Sequence, residues 1–253
     1  MANEQSLSDT DQALRACFPL IEVPVEGAFR TPGTCQSALL LTQRGLKLRL
    51  QNEAFTWVTP IGLPSPIPLP YGDVDDSLVI SFKFEPVQRL LSEFVDEAKR
   101  NLPNECGAWI TWSPTTDAYR LIHLTTTRAT QDILECTLPR LNDGELLLVD
   151  VHSHGHAGAF FSRTDDEDDR KSDPAPHFAW VIGGLHHQDP TFLACHRMVG
   201  QGLISPDKHP PRRYQIEKQH QLSAHQRTFG TPAHQDPLDW RRWERKPDAL
   251  SPL

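Results

Sequence analysis

Apolar residues recur along this chain in two rhythms, and the change of rhythm marks its organisation. Within about 1–77, residues 37–41, 46–50 and 55–58 are short apolar runs of strand length. They lead into TPIGLPSPIPLPYGD, residues 59–73, with five prolines in a dozen residues. Proline donates no ladder hydrogen bond, so this stretch reads as an extended linker and not as a central strand. Residues 78–84 alternate weakly, as a strand does. From Glu85 onward Val87, Leu90, Leu91, Phe94, Val95 and Ala98 fall at helical spacing and form one stripe. Pro86 sits in the first turn, where its missing N–H does no harm, and Pro103 closes the helix. Strand-like runs follow at 108–112, 119–125, 146–152, 178–182 and 191–199. One amphipathic helix set against such strands predicts an α+β (mixed α/β) core spanning about 78–205, with a largely antiparallel sheet. From 206 to 253 the pattern fades into Pro, Gln, His and Arg with few aliphatic residues. Such a tail cannot bury enough apolar surface to offset its ordering entropy, so most of it is expected to be disordered. Trp240 and Trp243 are the residues there suited to docking.

Composition narrows the function. A chain of 253 residues, 38% hydrophobic, is long enough for one large domain or two small ones. The net charge of -8 argues against nucleic acid as the main partner, because phosphate binding takes a cationic surface. No run of eighteen apolar residues occurs, so no transmembrane helix and no membrane partner are expected. The polar, acidic start MANEQSLSDTDQ lacks the features of a signal peptide. Cys17, Cys35, Cys106, Cys136 and Cys195 are scattered, odd in number and without a CxxC pair. They read as reduced thiols in a cytoplasmic protein.

The candidate chemistry lies in LLLVDVHSHGHAGAFFSRTDD, residues 146–166. Residues 146–151 are apolar and β-favouring, so His152 and His154 fall at the end of a strand. Positions i and i+2 of a strand face the same way, and the two imidazoles can converge on one ion. Neutral imidazole is a good zinc ligand, and a catalytic zinc site takes three protein ligands with a fourth place open to water. Asp165, eleven residues after His154, can return across a loop as the third. If Ser162 and Asp165 share the first turn of a helix, both point the same way. The spacing is His-x-His-x7-Ser-x2-Asp, which a chain of this composition would show by chance roughly once in 400.

That spacing resembles the JAMM motif, also called MPN+, of the JAB family of zinc metallopeptidases. The resemblance covers about residues 78–205. It implies a JAB/MPN-like core of a largely antiparallel sheet with flanking helices, behind a small β-rich N-terminal segment. It also implies Zn2+ as cofactor, held by His152, His154 and Asp165, and a glutamate upstream. Pro103, Glu105 and Gly107 form a Pro-x-Glu-x-Gly pattern in the place of the family's segment, which makes Glu105 the candidate general base. Ser162 would then steady the water or the developing oxyanion. One departure stands out. The family usually has Pro after the second histidine, where this chain has Gly155 and then His156. Pairing His154 with His156 would leave five residues before Ser162 and break the motif. The chain as a whole resembles the PRTRC system protein A family, named for cassettes with ParB-related and ThiF-related genes. That resemblance implies a ubiquitin-like protein or conjugate as substrate and a ThiF/E1-like protein as partner.

Plainer readings compete. Two histidines alone could be surface residues, and Glu105 could be a solvated turn carboxylate beside Glu93 and Glu97. The run Asp165-Asp166-Glu167-Asp168-Asp169 suits a solvated helix start favoured by the helix dipole, with Asp166 the substitute ligand if the register slips. His177, His186, His187 and His196 are not expected to be ligands. Gly183 and Gly184 fit a turn or bulge, with no phosphate-loop context. Cys106, at a strand start, fits a buried structural thiol better than a nucleophile. The tail carries nine Lys/Arg against six Asp/Glu, which suits a solvated segment or docking on an acidic partner. Two other function classes remain open: a catalytically silent MPN scaffold, and a zinc hydrolase acting on a sulfur-carrier adduct or small peptide.

Overall fold

The structure, a computed structural model, describes residues 8, 12, 18–27, 29, 37–172, 175–205 and 211–215. Contacts divide the described chain into two compact units between Ser81 and Phe82.

In the first unit the three predicted apolar runs are strands of one five-stranded sheet. In sheet order these are β1 (Leu20–Glu22), β2 (Ser37–Thr42), β3 (Gly45–Gln51), β4 (Phe55–Pro60) and β5 (Ser77–Ile80). β1 runs parallel to β2, and the other neighbours are antiparallel. Leu40, Leu50 and Phe55 are fully buried. β5 falls in the stretch expected to open the second domain. It pairs instead with β4, with the buried Leu78 opposite Trp57, which moves the boundary from 77/78 to 81/82. The proline-rich stretch is extended, yet it is not a spacer. The residues between its prolines bond to the β2–β3 turn: Ser65 N donates to Arg44 O at 2.8 Å and Leu69 N to Gln43 O at 2.9 Å. The buried Lys47 secures the end of the stretch through Asp73 at 3.8 Å and, just past it, Asp76 at 2.8 Å. Proline bars a continuous ladder but not isolated hydrogen bonds from its neighbours.

The second unit opens with α1 (Phe84–Asn101), which buries the predicted stripe from Val87 to Ala98 and carries Lys99 and Arg100 in its last turn, favourable to the helix dipole. The strands are β6 (Gly107–Ser113), β7 (Ala118–His123), β8 (Thr125–Ala129), β9 (Leu134–Thr137), β10 (Leu146–Ser153), β11 (His177–Gly183), β12 (Thr191–Gly200), β13 (Leu203–Ile204) and β14 (Arg212–Gln215), with α2 (Arg163–Asp169) between β10 and β11. The main sheet runs β13-β12-β11-β10-β6-β7, with β14 also on β12, while β8 and β9 form a separate hairpin. β10 and β11 are parallel and every other neighbouring pair is antiparallel. The fold is therefore α+β with a largely antiparallel sheet. Lys83 N donates to Tyr119 Oη at 2.9 Å and Phe82 packs on Trp112, so the segment that enters α1 lies against Trp112 and Tyr119.

Residues 212–215, expected within the disordered tail, form β14 because Tyr214 is buried and stacks on Phe192 at 5.4 Å. The remainder of that tail, 206–210 and 216–253 with Trp240 and Trp243, lies outside the described residues, as do Cys17 and Cys35. Cys106, Cys136 and Cys195 are free thiols. Among the described residues no helix is long and apolar enough to cross a membrane.

Candidate metal centre

β10 delivers the two histidines as its alternation requires. His152 is directly opposite Gly107 of β6 and Val181 of β11, so it stands on the sheet face turned away from Val151. His154 follows one step beyond the strand, its amide anchored on Ile182 O at 2.7 Å. The two Nε2 atoms are 3.1 Å apart. Asp165 closes the group: its Oδ1 is 3.3 Å from His152 Nε2, and its Oδ2 is 3.8 Å from His154 Nε2. One ligand atom from each of the three lies within 4.8 Å of the others, so the set can hold a metal ion.

Asp165 is placed by the start of α2. Ser162 is the N-cap, its Oγ accepting from Asp165 N at 3.2 Å, while Asp165 Oδ2 accepts from Ser162 N at 2.6 Å. This is a capping box with Asp in place of the usual Glu. It satisfies two orphan amides and at the same time turns the Asp165 carboxylate toward the histidines. The Ser162 Oγ accepts one hydrogen bond here, and its own O–H remains a donor.

Burial sets the protonation of the centre. It lowers His152 to about 4 against the opposing pull of Asp165, and it lowers His154 as well. Burial raises Asp165, but His152 and the Ser162 hydrogen bonds outweigh it, and the carboxyl ends below its ordinary value. Two neutral imidazoles and one carboxylate at neutral pH are the donor set that zinc prefers, so the residues fit that ion.

Glu105 lies two residues before Gly107, the partner of His152, and Ser153 N donates to Cys106 O at 2.9 Å. Its backbone therefore runs alongside the second histidine. It lines a cleft of about 220 Å³ together with Glu97, Asn101, Asn104, Cys106 and His123. Burial, then the charges of Asp165 and Asp132, push its carboxyl up to about 7. That value belongs to the metal-free centre; a nearby dication would favour the carboxylate and lower it.

The Gly155 departure has a structural cause. Gly155 has φ +54°, and a Cβ there would lie 3.0 Å from Pro103 O. A proline ring holds φ near −65° and cannot take that turn. The loop after it lies against the end of β11, where a Cβ on Gly183 would meet Ala157 O at 2.4 Å. Gly183 thus marks a close approach of two backbones, and Gly184, at φ +63°, supplies the turn expected there.

Asp166 is engaged away from the two histidines. It pairs with Arg197, as does Asp169. His177 Nδ1 lies 3.0 Å from Ala175 O, His196 stacks on Trp180, and His156 packs beside His186. None of these is in the metal-binding group found among the described residues. The Cys106 thiol is half-buried against Ser153 Oγ at 3.6 Å, and burial raises its pKa, as for a structural thiol. Sequence reasoning missed two residues on the His152 face. Asp150 has its carboxyl pushed to about 7, mainly by burial. Arg197 is a buried cation in a strand whose other residues, Thr191 and His196 apart, are apolar, and a charge in such a run was the signal available.

Fold and centre together define a JAB-type domain. Residues 87–196 match the family of prokaryotic homologs of the JAB domain, and residues 8–81 match a domain of unknown function, DUF2016. The JAB match lies within the second unit, and the N-terminal match ends at the boundary between units. No curated protein matches the chain.

Proposed function

We propose that this protein is a zinc-dependent peptidase or isopeptidase that hydrolyses an amide bond at the C-terminus of a ubiquitin-like protein. The observation that carries the reading is the convergence of His152, His154 and Asp165 within 4.8 Å, with Asp165 held by the Ser162 cap. A bound zinc ion supplies Lewis acidity and water acidified toward neutrality. His152 and His154 contribute neutral nitrogens, and Asp165 contributes the negative charge that keeps the cation in place. Glu105 accepts the proton of the attacking water at its carboxylate and returns it to the leaving nitrogen. Ser162 donates its O–H to the oxygen on which negative charge develops. The substrate class comes from the resemblance to the PRTRC system protein A family, and a ThiF/E1-like protein is the matching partner.

The test uses the full chain loaded with one equivalent of zinc and a ubiquitin-like protein extended at its C-terminus by a reporter peptide. Wild type should release the peptide. Glu105→Gln should keep its zinc and lose roughly 10²–10⁴-fold in rate, while Glu93→Gln, exposed on α1 beside Arg89, should turn over as wild type. Bound zinc with no cleavage of this or of shorter peptide amides would favour the scaffold. Equal turnover by wild type and Glu105→Gln would remove Glu105 from the mechanism.

A further inference from the structure

α2 has little of its own to hold it. It is seven residues long, buries none of them and carries five acidic side chains in succession from Asp165 to Asp169. A helix of two turns is marginal alone, and like charges three and four apart repel. Yet Asp165 must stay within reach of both histidines for the centre to exist.

Arg197 answers this need. On β12 it stands opposite Ala179, which stands opposite Asp150, just as Cys195 stands opposite Val181 and Val181 opposite His152. In-register neighbours share a face, so Arg197 rises on the same face as His152, two strands away. Its guanidinium contacts the ligand-bearing segment on both sides of Asp165. Before it, Cζ sits 3.7 Å from the centroid of the Phe161 ring, and Phe161 itself packs on Ala159, Val181 and Cys195. After it, Nε lies 2.7 Å from Asp169 Oδ2, while Nη1 pairs with Asp166. The Arg197 side chain is 7% exposed, where charge pairs are poorly screened.

We propose that Arg197 is a positioning residue for the metal centre: by clamping Phe161, Asp166 and Asp169 it fixes α2 so that Asp165 is presented to the site of His152 and His154. The inference rests on the zinc reading of the centre. The sign of the effect separates it from simple electrostatics. Arg197 is a cation whose charge is felt at His152, so removing it without displacing Asp165 would strengthen the binding of another cation. Removing a clamp weakens it.

The experiment compares the full chain with its Arg197→Met and Arg197→Lys variants. Zinc affinity is measured by chelator competition, and amide hydrogen exchange across 162–170 is measured on the metal-free proteins. Arg197→Met should bind zinc roughly 10–100-fold more weakly, the usual loss on removing an outer-shell partner, with Arg197→Lys between it and wild type. Amides of α2 should exchange faster while those of β10 and β11 stay protected. A folded Arg197→Met protein with equal or tighter zinc binding, or with unchanged α2 exchange, overturns the clamp. Should Arg197→Met fail to fold, the double variant Asp166→Asn, Asp169→Asn removes the same contacts from the helix side, and unchanged α2 exchange there overturns it equally. A wild-type protein that takes up no zinc would instead overturn the metal-centre reading and the clamp's purpose with it.

Discussion

Gly155 is the place where this chain parts from the family's usual proline, and the structure says what restoring a side chain there would do. Gly155→Ala forces an L side chain into φ +54°, which costs about 1–2 kcal/mol. The new Cβ also stands 3.0 Å from Pro103 O, a contact that one of two backbones must yield to relieve. Together these amount to about 2–3 kcal/mol, the upper part of the range for a residue held in a disfavoured region. Gly155→Pro is worse in kind. Its ring cannot reach that φ, so the turn must open, and the bonds from His154 N to Ile182 O and from Leu185 N to Gly155 O are put at risk. The assay is urea unfolding of the metal-free protein with zinc affinity alongside. At about 2 kcal/mol per molar urea, Gly155→Ala should lower the midpoint of the second unit by about 1 M. Zinc affinity should drop about tenfold if 1.4 kcal/mol of the strain reaches His154. Gly155→Pro should lose more on both counts. A proline variant with wild-type midpoint and zinc affinity would show that the loop does not depend on this turn.

His154→Ala should abolish stoichiometric zinc, read by metal analysis after gel filtration, yet leave cooperative unfolding intact, because the second unit has its own apolar core. Stability should depend on pH through His152. Above its unfolded pKa of 6.5 both states are neutral, but as pH falls toward the folded value of about 4 the unfolded chain takes a proton that the folded chain refuses. His152→Gln removes that penalty, so its stability relative to wild type should improve by up to about 3 kcal/mol between pH 7 and pH 4. Glu105 and Asp150, raised to about 7, act in the opposite sense but are present in both proteins; a pH-independent difference in urea unfolding would contradict the assignment. Tyr214→Ala should cost about 2 kcal/mol, from burial and the stack on Phe192. Ending the chain after Gln215 should keep that stability and zinc binding, and ending it at 205 should not; equal melting of the two truncations would show β14 to be dispensable.

Whatever is local could be read from the order of residues alone. The 3.6-residue stripe from Val87 to Ala98 could only be an amphipathic helix, and it runs Phe84–Asn101. The apolar runs at 37–58 and 108–199 became strands because their periodicity leaves one face or both to be buried. His152 and His154 share a face by the pleat alone, and Ser162 and Asp165 meet because three residues span a helix cap. Tertiary structure decided what depends on partners distant in the chain. The proline-rich stretch lies against β2 and β3, and 212–215 became β14, because hydrogen bonding and stacking compensated for poor propensity. β8, mostly exposed, had no hydrophobic period to betray it. That β10 pairs parallel with β11 is what carries the row from His152 through Val181 to Cys195, and so puts Arg197 within reach of α2. Gly155 was legible only as a departure from a pattern, since its reason, the carbonyl of Pro103, lies fifty-two residues earlier and comes close only in the folded chain.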